Sequence, residues 1–588
     1  MTSQTASAQT VAGGRSPLDP ITLELIRNAL QSVVDEMALT LVRTAYSANL
    51  KSAMDLSSAL CDAQGRLVAQ GLTLPLHLGS IPDAMAAVLA RFEGTIRPGD
   101  AFVLNDPYEG GTHLPDFFVF QPLFLDEDLL GYAVTVAHHT DVGGRVAGGN
   151  ACDSTEIFQE GLRIPPLRLR QAGRLDDGFL RLLAANVRIP VKVLGDLRAQ
   201  LAACHIGERG LLDVVARYGR EPVTAAFSEL QDLTERLARV EIGRLPDGRY
   251  EFVDYLDDDG IDPGPIRICV AVTIDGDSMD VDFAGTSQQV KGAINSTLSF
   301  TRSAVYACVR CLMPPTIPNN EGYFGAINVR APVGTIVNPM MPASVAARGL
   351  TGYRIANAVM GALAQAAPDR IPAAESGGDT GVSLGGYDSH RRPFVFLEFL
   401  VCSWGGRPFA DGIDGVASIV VNFSNYPAEV IEREYPLRIE ENGYLPDTGG
   451  AGRFRGGLAL VRQYRFLEES ATLQLRADRS LAGPYGLMGG EAGSPARNLL
   501  LRDGAQRLLP SKTTFTLHHG DGFRLELAGA GGWGPPLERD PAAVLEDVID
   551  QKLSVEHARR VYGVVIGASG SELDAAATEE LRTRLRGT

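Results

Sequence analysis

The chain has 588 residues, of which 45% are hydrophobic and 21% are charged, and its formal net charge is −17. This composition is typical of a globular protein large enough for about three or four cores. The negative charge argues against nucleic-acid binding, which requires a basic surface that neutralises phosphates, and it disfavours attachment to anionic lipid. No run of about 18 apolar residues occurs, so we expect no membrane span and neither kind of partner.

The ordered part of the chain is predicted to begin with a long helix. Residues 1–16 contain no apolar core of signal-peptide length, and we expect them to be disordered. Asp19 and Pro20 form a helix start, because the carboxylate can accept from free backbone amides and proline lacks the N–H that would be unpaired there. Apolar residues then recur at helical spacing, which predicts a helix over residues 19–46.

Short elements that lead to a pair of strands are predicted next. Before residue 110, two extended runs about a polar turn are predicted at residues 55–71, a helix at residues 81–92, and a strand that runs into a turn at residues 100–107. The segments 117–125 and 131–138 are predicted to be neighbouring strands joined by a short polar turn. His113 therefore directly precedes one strand of the pair, and His138 closes the other.

The remainder of the chain alternates between helical and strand-rich regions. Helical patterns cover residues 177–243, 297–313 and 353–367, and strands with tight turns lie between residues 250 and 285. Beyond about residue 370 the chain is glycine-rich and strand-like, with two short helices near its end. We expect an α+β or mixed α/β, multi-domain fold with an N-terminal domain (17–245), a middle α+β domain (246–370), a β-rich C-terminal domain (371–565) and a tail (566–588).

Three of the nine histidines lie close together in the sequence, each near a carboxylate and glycines. The segments are "GGTHLPD" (110–116) and "AHHTDVGG" (137–144). Neutral imidazole and ionised carboxylate groups are ligands for divalent metals, and one bend can direct His113 and Asp116 toward the same point. Successive side chains of a strand face opposite ways, so only one of His138 and His139 can join such a site. The N-terminal domain is therefore the predicted place for a metal site.

A fourth ligand has several candidates, which are Asp55, Asp106, Asp141 and Glu156. Asp55 stands in an otherwise small and apolar context, "KSAMDLSSAL", where a carboxylate requires a partner. In an alternative interpretation Asp55 is a cap or turn residue and the histidines are ordinary hydrogen-bonded core groups. The spacing alone does not decide between a metal site and this alternative.

Other recognisable catalytic motifs are absent from the sequence. It contains no G-x-x-x-x-G-K-[ST] loop for nucleotide phosphates and no G-x-S-x-G nucleophile motif. The segment "HHGD" (518–521) is predicted to lie at the turn of a β-hairpin. The seven cysteines are scattered and no second CxxC completes a zinc cluster, so we expect free thiols and a cytoplasmic protein.

Several long segments in one order carry a resemblance to a known family. They are "NDPYEGGTHLPD" (105–116), "AHHTDVGG" (137–144), "STEIFQEGLRIPP" (154–166), "NNEGYFGAINVRAP" (319–332), "YPAEVIEREYPLRIE" (426–440) and "PDTGGAGRFRGG" (446–457). Together they resemble the hydantoinase B family, from about residue 17 to residue 565. This family includes the B subunit of ATP-dependent N-methylhydantoinases, the C-terminal half of 5-oxoprolinase, the β subunit of caprolactamase and, more distantly, the α subunit of acetone carboxylase.

The resemblance implies a division of labour between two subunits. An A-type subunit of the actin-like kinase fold would bind ATP and phosphorylate the carbonyl oxygen of the substrate, and the B-type chain would hold Zn²⁺, Mn²⁺ or Fe²⁺ and complete the reaction. The family's metal ligands match four residues of this sequence, which are Asp55, His113, Asp116 and His138. His139 and Asp141 are then candidates for a supporting or proton-transferring role.

The resulting hypothesis is a metal-dependent B-type subunit of an ATP-dependent hydrolase that opens a hydantoin, an oxoproline-like lactam or a larger lactam. Two alternatives stay open. One is a subunit of an ATP-dependent ketone carboxylase of the acetone or acetophenone type, and the other is a non-catalytic scaffold for the A-type subunit. By analogy with the family, we expect ATP on the partner and a heterotetramer of two A and two B subunits.

Overall fold

The computed structural model describes residues 18–77, 79–567 and 569–587. The segment predicted to be disordered, residues 1–16, lies outside these residues. The described helices are α1 (Pro20–Thr44), α2 (Ser80–Phe92), α3 (Asp177–Asn186), α4 (Pro190–Tyr218), α5 (Arg220–Ile242), α6 (Leu298–Arg310), α7 (Gly349–Ala366), α8 (Ala428–Glu434), α9 (Pro541–Ile549), α10 (Val555–Tyr562) and α11 (Ala575–Arg586). The described strands are β1 (Leu56–Asp62), β2 (Leu67–Thr73), β3 (Ala101–Leu104), β4 (Asp116–Leu125), β5 (Asp128–His138), β6 (Leu167–Gln171), β7 (Arg174–Leu175), β8 (Gly248–Asp258), β9 (Pro263–Asp275), β10 (Ser278–Asp282), β11 (Ile327–Arg330), β12 (Thr380–Tyr387), β13 (Pro393–Leu400), β14 (Leu437–Leu445), β15 (Ala459–Phe466), β16 (Ser470–Arg476), β17 (Arg497–Arg502), β18 (Ala505–Leu509), β19 (Lys512–His518) and β20 (Gly522–Glu526).

Helix α1 begins where the sequence predicts it. The Asp19 carboxylate accepts hydrogen bonds from the backbone N–H groups of Ile21 at 3.1 Å and Thr22 at 3.0 Å. These groups belong to the first turn, whose amides have no partner within the helix. The apolar face of α1 packs against α4 and the strands β1 and β2. The predicted long helix is therefore confirmed.

A seven-stranded sheet organises the N-terminal part, with the strand order β2-β1-β5-β4-β3-β6-β7. Neighbouring side chains along a strand point to opposite faces, and in this sheet both faces carry buried apolar residues. Helices α1 and α4 cover one face, and α2 covers the other. The ends of the central strands are consequently enclosed by protein.

The register of three central strands brings predicted site residues to one end of this sheet. Strands β4 and β5 are antiparallel, and Asp116 is directly opposite His138. Strand β1 pairs with β5 in antiparallel fashion, with Leu56 opposite Ala137. Asp55 therefore lies next to His138, whose backbone N–H donates to the Asp55 carbonyl oxygen at 3.2 Å.

Three further sheets follow, with the orders β11-β10-β9-β8, β13-β12-β16-β19 and β14-β15-β20-β17-β18. Helix α7 packs on α6, β8 and β9, and one continuous apolar core joins these elements to the C-terminal strands. The predicted mixed α+β, multi-domain fold with a strand-dominated C-terminal part is confirmed, whereas the domain boundaries stay predictions. Among the described residues, no helix combines the length and the apolar character needed to cross a membrane.

The hairpin predicted around residues 518–521 is wrong in its strand pairing. Strand β19 ends and β20 begins on either side of the turn, but β19 pairs with β16, whereas β20 pairs with β15 and β17. The Asp521 carboxylate holds the turn, since it accepts from the backbone N–H of His518 at 2.7 Å and from Arg502 Nε at 2.9 Å. The turn is a corner at which the chain passes from one sheet to another, a feature that alternation within each strand does not reveal.

Candidate metal centre

Three of the predicted ligands meet at the ends of two paired strands. His113 lies in the turn before β4, Asp116 begins β4, and His138 ends β5. One nitrogen or carboxylate oxygen from each residue lies within 4.8 Å of those of the other two, and all three side chains are buried. This separation is compatible with ligands that share one metal ion.

The turn that carries His113 depends on Gly110. This glycine has a φ of 93°, a backbone conformation that other residues rarely adopt. A Cβ at this position would lie 2.5 Å from backbone atoms of Asp83 and Ala84 in α2. The turn therefore contacts α2 closely, and the contact fixes where the chain enters β4.

His113 is oriented by a hydrogen bond to a distant part of the chain. Its Nδ1 lies 2.9 Å from the carbonyl oxygen of Ala346, and because a carbonyl can only accept, Nδ1 carries the proton. Nε2 of the neutral ring then presents a lone pair toward Asp116 Oδ1, 3.2 Å away. Two electron-rich atoms at this distance repel each other unless a cation or a proton compensates. Such an orientation is usual for a histidine that binds metal.

The two carboxylate oxygens of Asp116 have different surroundings. Oδ2 accepts hydrogen bonds from Thr112 Oγ1 and from Arg348 Nη2, the latter at 2.5 Å, and it lies 3.4 Å from His77 Nε2. Oδ1 has no hydrogen-bond partner among the described residues and faces His113. The carboxylate is therefore held from one side, and the other oxygen is left for a cation.

A cluster of buried polar atoms at this site has no hydrogen-bond partner in the described part of the chain. The atoms are both carboxylate oxygens of Asp55, both ring nitrogens of His138, Nε2 of His77, Nε2 of His113 and Oδ1 of Asp116. Buried polar atoms are nearly always paired, because an unpaired one costs about 1–3 kcal/mol. Imidazole nitrogens and carboxylate oxygens are the donor set that Zn²⁺, Mn²⁺ and Fe²⁺ accept, so these residues fit such an ion.

Asp55 lines the same cavity as His113 and His138, although the three other predicted ligands lie closer to one another. Burial, together with the negative charge of Asp116, raises the pKa of Asp55 well above its usual range. Two carboxylates in one buried space repel each other when both are ionised. A cation bound between them would remove this repulsion.

Burial keeps the histidines of the site neutral. Burial and the charge of Arg348 lower the pKa of His113 to about 4, and burial lowers the pKa of His138 well below its usual range. Burial alone would raise the pKa of Asp116, but the charge of Arg348 opposes it, and the pKa of this carboxyl lies well below its usual range. The site therefore offers neutral imidazoles and an ionised carboxylate, the protonation states that metal binding requires.

His139 lies on the opposite side of β5 from His138, as strand alternation predicts. Its Nε2 is 3.0 Å from Gln200 Oε1, and its ring packs on Phe117 with centroids 4.2 Å apart. Both contacts are in the core between the sheet and α4. His139 is therefore a hydrogen-bonded core residue in this arrangement and does not reach the cavity.

The remaining candidate carboxylates also lie away from the three close ligands. Asp106 accepts from Arg163 Nε at 2.6 Å, and Asp141 accepts from the backbone N–H of Arg188 at 2.5 Å and from its side chain at 3.0 Å. Glu156 is exposed. Asp106 and Asp141 hold loops beside the site, so of the four candidates for a fourth ligand only Asp55 lines the cavity.

Two residues of the site, Arg348 and His77, are not identified from the sequence. Both contact the same oxygen of Asp116, and both are buried. Their sequence contexts, "SVAARGL" and "TLPLHLGS", each place one strongly polar residue among apolar and small ones. The same feature singles out Asp55 and would have identified them as well.

A cavity extends from this cluster between the N-terminal sheet and the later sheets. Much of its wall is apolar and includes Leu74, Leu76, Phe300, Leu350, Phe399, Val421 and Phe423. Its polar wall residues, besides the predicted ligands, are Asn150, Arg348, Tyr353, Asp379 and Arg476. An apolar cavity with a few convergent polar groups is typical of a small-molecule site.

The chain is similar to known proteins along nearly its whole length. The family model described as hydantoinase B/oxoprolinase matches residues 19–536. The B subunit of a putative D-/L-hydantoinase from Pseudomonas sp. (strain NS671) is 34% identical over 586 residues, which cover 96% of this chain and 98% of that protein.

Solved structures have the same architecture. The crystal structure of the ATP-dependent caprolactamase from Pseudomonas jessenii matches with a TM-score of 0.91 and 33% identity, over 96% of this chain and 100% of that one. A nucleotide-free acetone carboxylase structure matches with a TM-score of 0.90 over 97% of this chain and 83% of that one, but at 20% identity the likeness shows the fold alone. From the extent of the family match and of these similarities, we conclude that the chain belongs to the hydantoinase B/oxoprolinase family.

Proposed function

We propose that this chain is the metal-dependent B-type subunit of an ATP-dependent hydrolase that opens a cyclic amide: a hydantoin, an oxoproline-like lactam or a larger lactam. The observation that carries the proposal is the convergence of His113, Asp116 and His138, with ligand atoms within 4.8 Å of one another in a buried site. The substrate class is supported by two relatives, whose names denote action on a hydantoin and on caprolactam.

The proposed metal ligands are Asp55, His113, Asp116 and His138. When bound, a divalent cation supplies Lewis acidity, which polarises an oxygen of the substrate and lowers the pKa of water toward neutrality. Arg348 holds Asp116 through its side chain, and Ala346, two residues earlier in the sequence, holds His113 through its carbonyl group. One short segment before α7 thus orients two ligands from the N-terminal sheet.

Phosphorylation explains why such a reaction would use ATP. An amide carbon is a poor electrophile and its oxygen is a poor leaving group, and both obstacles are removed when the oxygen carries a phosphoryl group. Water then attacks the carbon that bears the phosphorylated oxygen, and the C–N bond of the ring breaks to leave an acyl phosphate. A second water hydrolyses the acyl phosphate to a carboxylate and inorganic phosphate. The apolar walls of the cavity, among them Phe300 and Phe399, would keep bulk water away from the intermediate.

The proposal includes an A-type partner that binds ATP and forms the intermediate. It is supported by the lack of a G-x-x-x-x-G-K-[ST] loop in this sequence and by the name of a relative that covers nearly the whole chain, which denotes a B-type subunit. An assembly of two A and two B subunits is expected.

Two alternatives are weaker. A ketone carboxylase subunit is suggested by the acetone carboxylase structure, but that match has 20% identity, whereas the hydantoinase and caprolactamase matches have 34% and 33%. A scaffold without catalysis is disfavoured because all four ligand types are present and unpaired side-chain atoms remain on each of those residues. A protein that only scaffolds gains nothing from such atoms.

Metal analysis and an activity assay test the proposal. The purified chain should carry a divalent metal, and His113→Ala and Asp116→Ala should lose it; full metal content in both variants would contradict the ligand assignment. The chain together with its kinase-like partner and ATP should open at least one ring from a panel of cyclic amides. ATP turnover that requires bicarbonate and a ketone would support the carboxylase instead.

A further inference from the structure

Arg476 is a buried cation without a carboxylate partner. Other buried arginines of the middle and C-terminal parts show the usual arrangement, since Arg354, Arg462 and Arg479 each contact a carboxylate at 2.5–2.6 Å. Arg476 is 3% exposed, yet no Asp or Glu oxygen among the described residues lies within 4.0 Å of it. A buried charge without a counter-ion is costly, so this arrangement calls for an explanation.

The hydrogen bonds of Arg476 are incomplete and involve neutral groups only. Nη1 donates to Ser383 Oγ at 2.8 Å and to the carbonyl oxygen of Asn150 at 3.2 Å. Nη2 has no acceptor in the described part of the chain. The side-chain amide of Asn150 has no hydrogen-bond partner there either. Burial lowers the pKa of Arg476 only to about 10, so the side chain is charged at neutral pH. Unused donors on two buried side chains thus line one cavity.

This pair lies close to the candidate metal centre. The guanidinium carbon of Arg476 and the ring centroid of His138 are each 5.7 Å from the ring centroid of Phe399. The two groups are therefore at most twice that distance apart, which a small molecule can span.

Glycine at position 381 provides the room for the guanidinium group. Gly381 is directly opposite Arg476 in the β12–β16 pair, and a Cβ on it would lie 2.7 Å from Arg476 Nε. Gly381 also lines the cavity. The strand pairing thus leaves the arginine flat against a bare backbone, with its outer nitrogen free to bind a ligand.

We propose that Arg476 and Asn150 bind the phosphoryl group of the substrate while the carbon that bears it lies at the metal centre. This inference rests on the proposed function, in which the chain receives a substrate phosphorylated on its carbonyl oxygen. A phosphoryl group supplies the two missing elements, a negative charge and several acceptor oxygens, to which the free Nη2 of Arg476 and the side-chain amide of Asn150 can donate. The same contacts stabilise the charge on phosphate as it leaves the carbon.

Inorganic phosphate is the probe for this site. In isothermal titration calorimetry the chain should bind phosphate saturably, both as purified and after treatment with a chelator, and Arg476→Met should raise Kd at least tenfold. Gly381→Ala should weaken binding in the same direction, because it displaces the guanidinium group. Arg497→Met is the control, since it removes a charge from a side chain that is 61% exposed, and it should leave Kd unchanged.

Three results would overturn the proposal. They are an unchanged phosphate affinity in Arg476→Met, no saturable binding by the wild-type chain, and displacement of phosphate by acetate at lower concentration than phosphate itself requires. The last result would assign the site to a carboxylate.

A stability measurement separates binding from a structural role. Arg476→Met should keep or raise the Tm, because it removes an unpaired buried charge, whereas Arg462→Met should lower it by leaving the buried Glu398 carboxylate without a counter-charge. An equal fall of Tm in the two variants would mean that Arg476 serves the fold and would overturn the inference. Phosphate binding requires neither ATP nor partner, so a chain that binds phosphate through Arg476 but opens no ring contradicts the proposed function alone.

Discussion

Asp116 and Arg348 are 232 residues apart in the sequence, and their side chains form a buried ion pair with an N–O distance of 2.5 Å. Asp116 begins a strand of the N-terminal sheet, and Arg348 immediately precedes α7. The pair therefore joins the sheet that supplies the candidate ligands to the middle part of the chain. It also fixes which oxygen of Asp116 faces His113.

Loss of Arg348 should weaken the metal-free chain more than the metal-bound one. Arg348→Met leaves the charge of Asp116 buried without its partner, which typically costs about 3–5 kcal/mol. A divalent cation restores positive charge at the same carboxylate, and binding to the native state adds stability. Unfolding in urea with and without Mn²⁺ or Zn²⁺ measures this difference.

Arg462→Met is the control for this prediction, because Arg462 pairs with Glu398 in the C-terminal part, also at 2.5 Å. Its loss should have a similar cost, and added metal should restore no more stability than it adds to the wild-type chain. If metal rescues both variants equally, the link between Arg348 and the metal site is wrong.

Substitution of the adjacent residues His138 and His139 should affect different properties, metal affinity for His138 and stability for His139. His138→Ala removes a proposed ligand and should lower metal affinity by more than about 100-fold, beyond what loss of a supporting residue costs. His139→Ala leaves Gln200 Oε1 without its partner and should cost about 1–3 kcal/mol of stability, with metal content unchanged. Metal titration and urea unfolding of both variants check the pair, and loss of metal from His139→Ala alone would reverse the assignment.

The turn before β4 should be sensitive to any side chain at position 110. Gly110→Ala should cost about 3 kcal/mol or more, because both its positive φ and its contact with the backbone of α2 oppose a Cβ. Gly94 also has positive φ, at 68°, but a Cβ there meets nothing within 4 Å, so Gly94→Ala should cost only about 1 kcal/mol. Thermal unfolding compares the two variants, and equal costs would show that the contact with α2 contributes nothing.

Local patterns are sufficient to predict the elements that carry the candidate ligands. The cap at Asp19 predicts the start of α1, and alternation predicts that His138 and His139 lie on opposite sides of one strand. Because β4 and β5 are joined by a short turn, His113 and His138 are brought together by that pairing alone. The role of Asp55 as a candidate ligand, in contrast, comes from the family resemblance, with its apolar context as a second indication.

Contacts between distant segments could not be predicted in this way. Arg348 reaches Asp116 only because the middle part packs on the N-terminal sheet, and no periodicity within either segment encodes that packing. The predicted pairing of β19 with β20 is wrong for a related reason. A tight turn between two strands predicts a hairpin, but β19 pairs with β16, and β20 pairs with β15 and β17, partners that the local pattern does not identify.

Glu160 connects a buried carboxyl group to the orientation of His113. Its Oε1 accepts hydrogen bonds from Ser344 Oγ and from the backbone N–H groups of Val345 at 2.6 Å and Ala346 at 2.9 Å. The carbonyl of Ala346 in turn accepts from His113 Nδ1. Burial outweighs these donors and raises the pKa of Glu160 to about 8, from 4.5 in an unfolded chain.

The raised pKa of Glu160 should contribute a fall in stability as the pH rises from about 5 to 8, whereas the lowered pKa values of His113 and His138 contribute a rise in the lower part of this range. In this window native Glu160 keeps a proton that it has lost in the unfolded state, so its contribution to the free energy of unfolding decreases by up to about 1.4 kcal/mol per pH unit. Glu160→Gln, which mimics the protonated form, should lack this contribution and be more stable than the wild-type chain at pH 8. Urea unfolding of the metal-free protein at pH 5, 6.5 and 8 measures the slope, and Glu469→Gln, at an exposed position, should leave it as in the wild type. Parallel slopes for the wild type and Glu160→Gln would mean that this carboxyl is ionised in the native chain and that its hydrogen bonds from Val345 and Ala346 outweigh its burial.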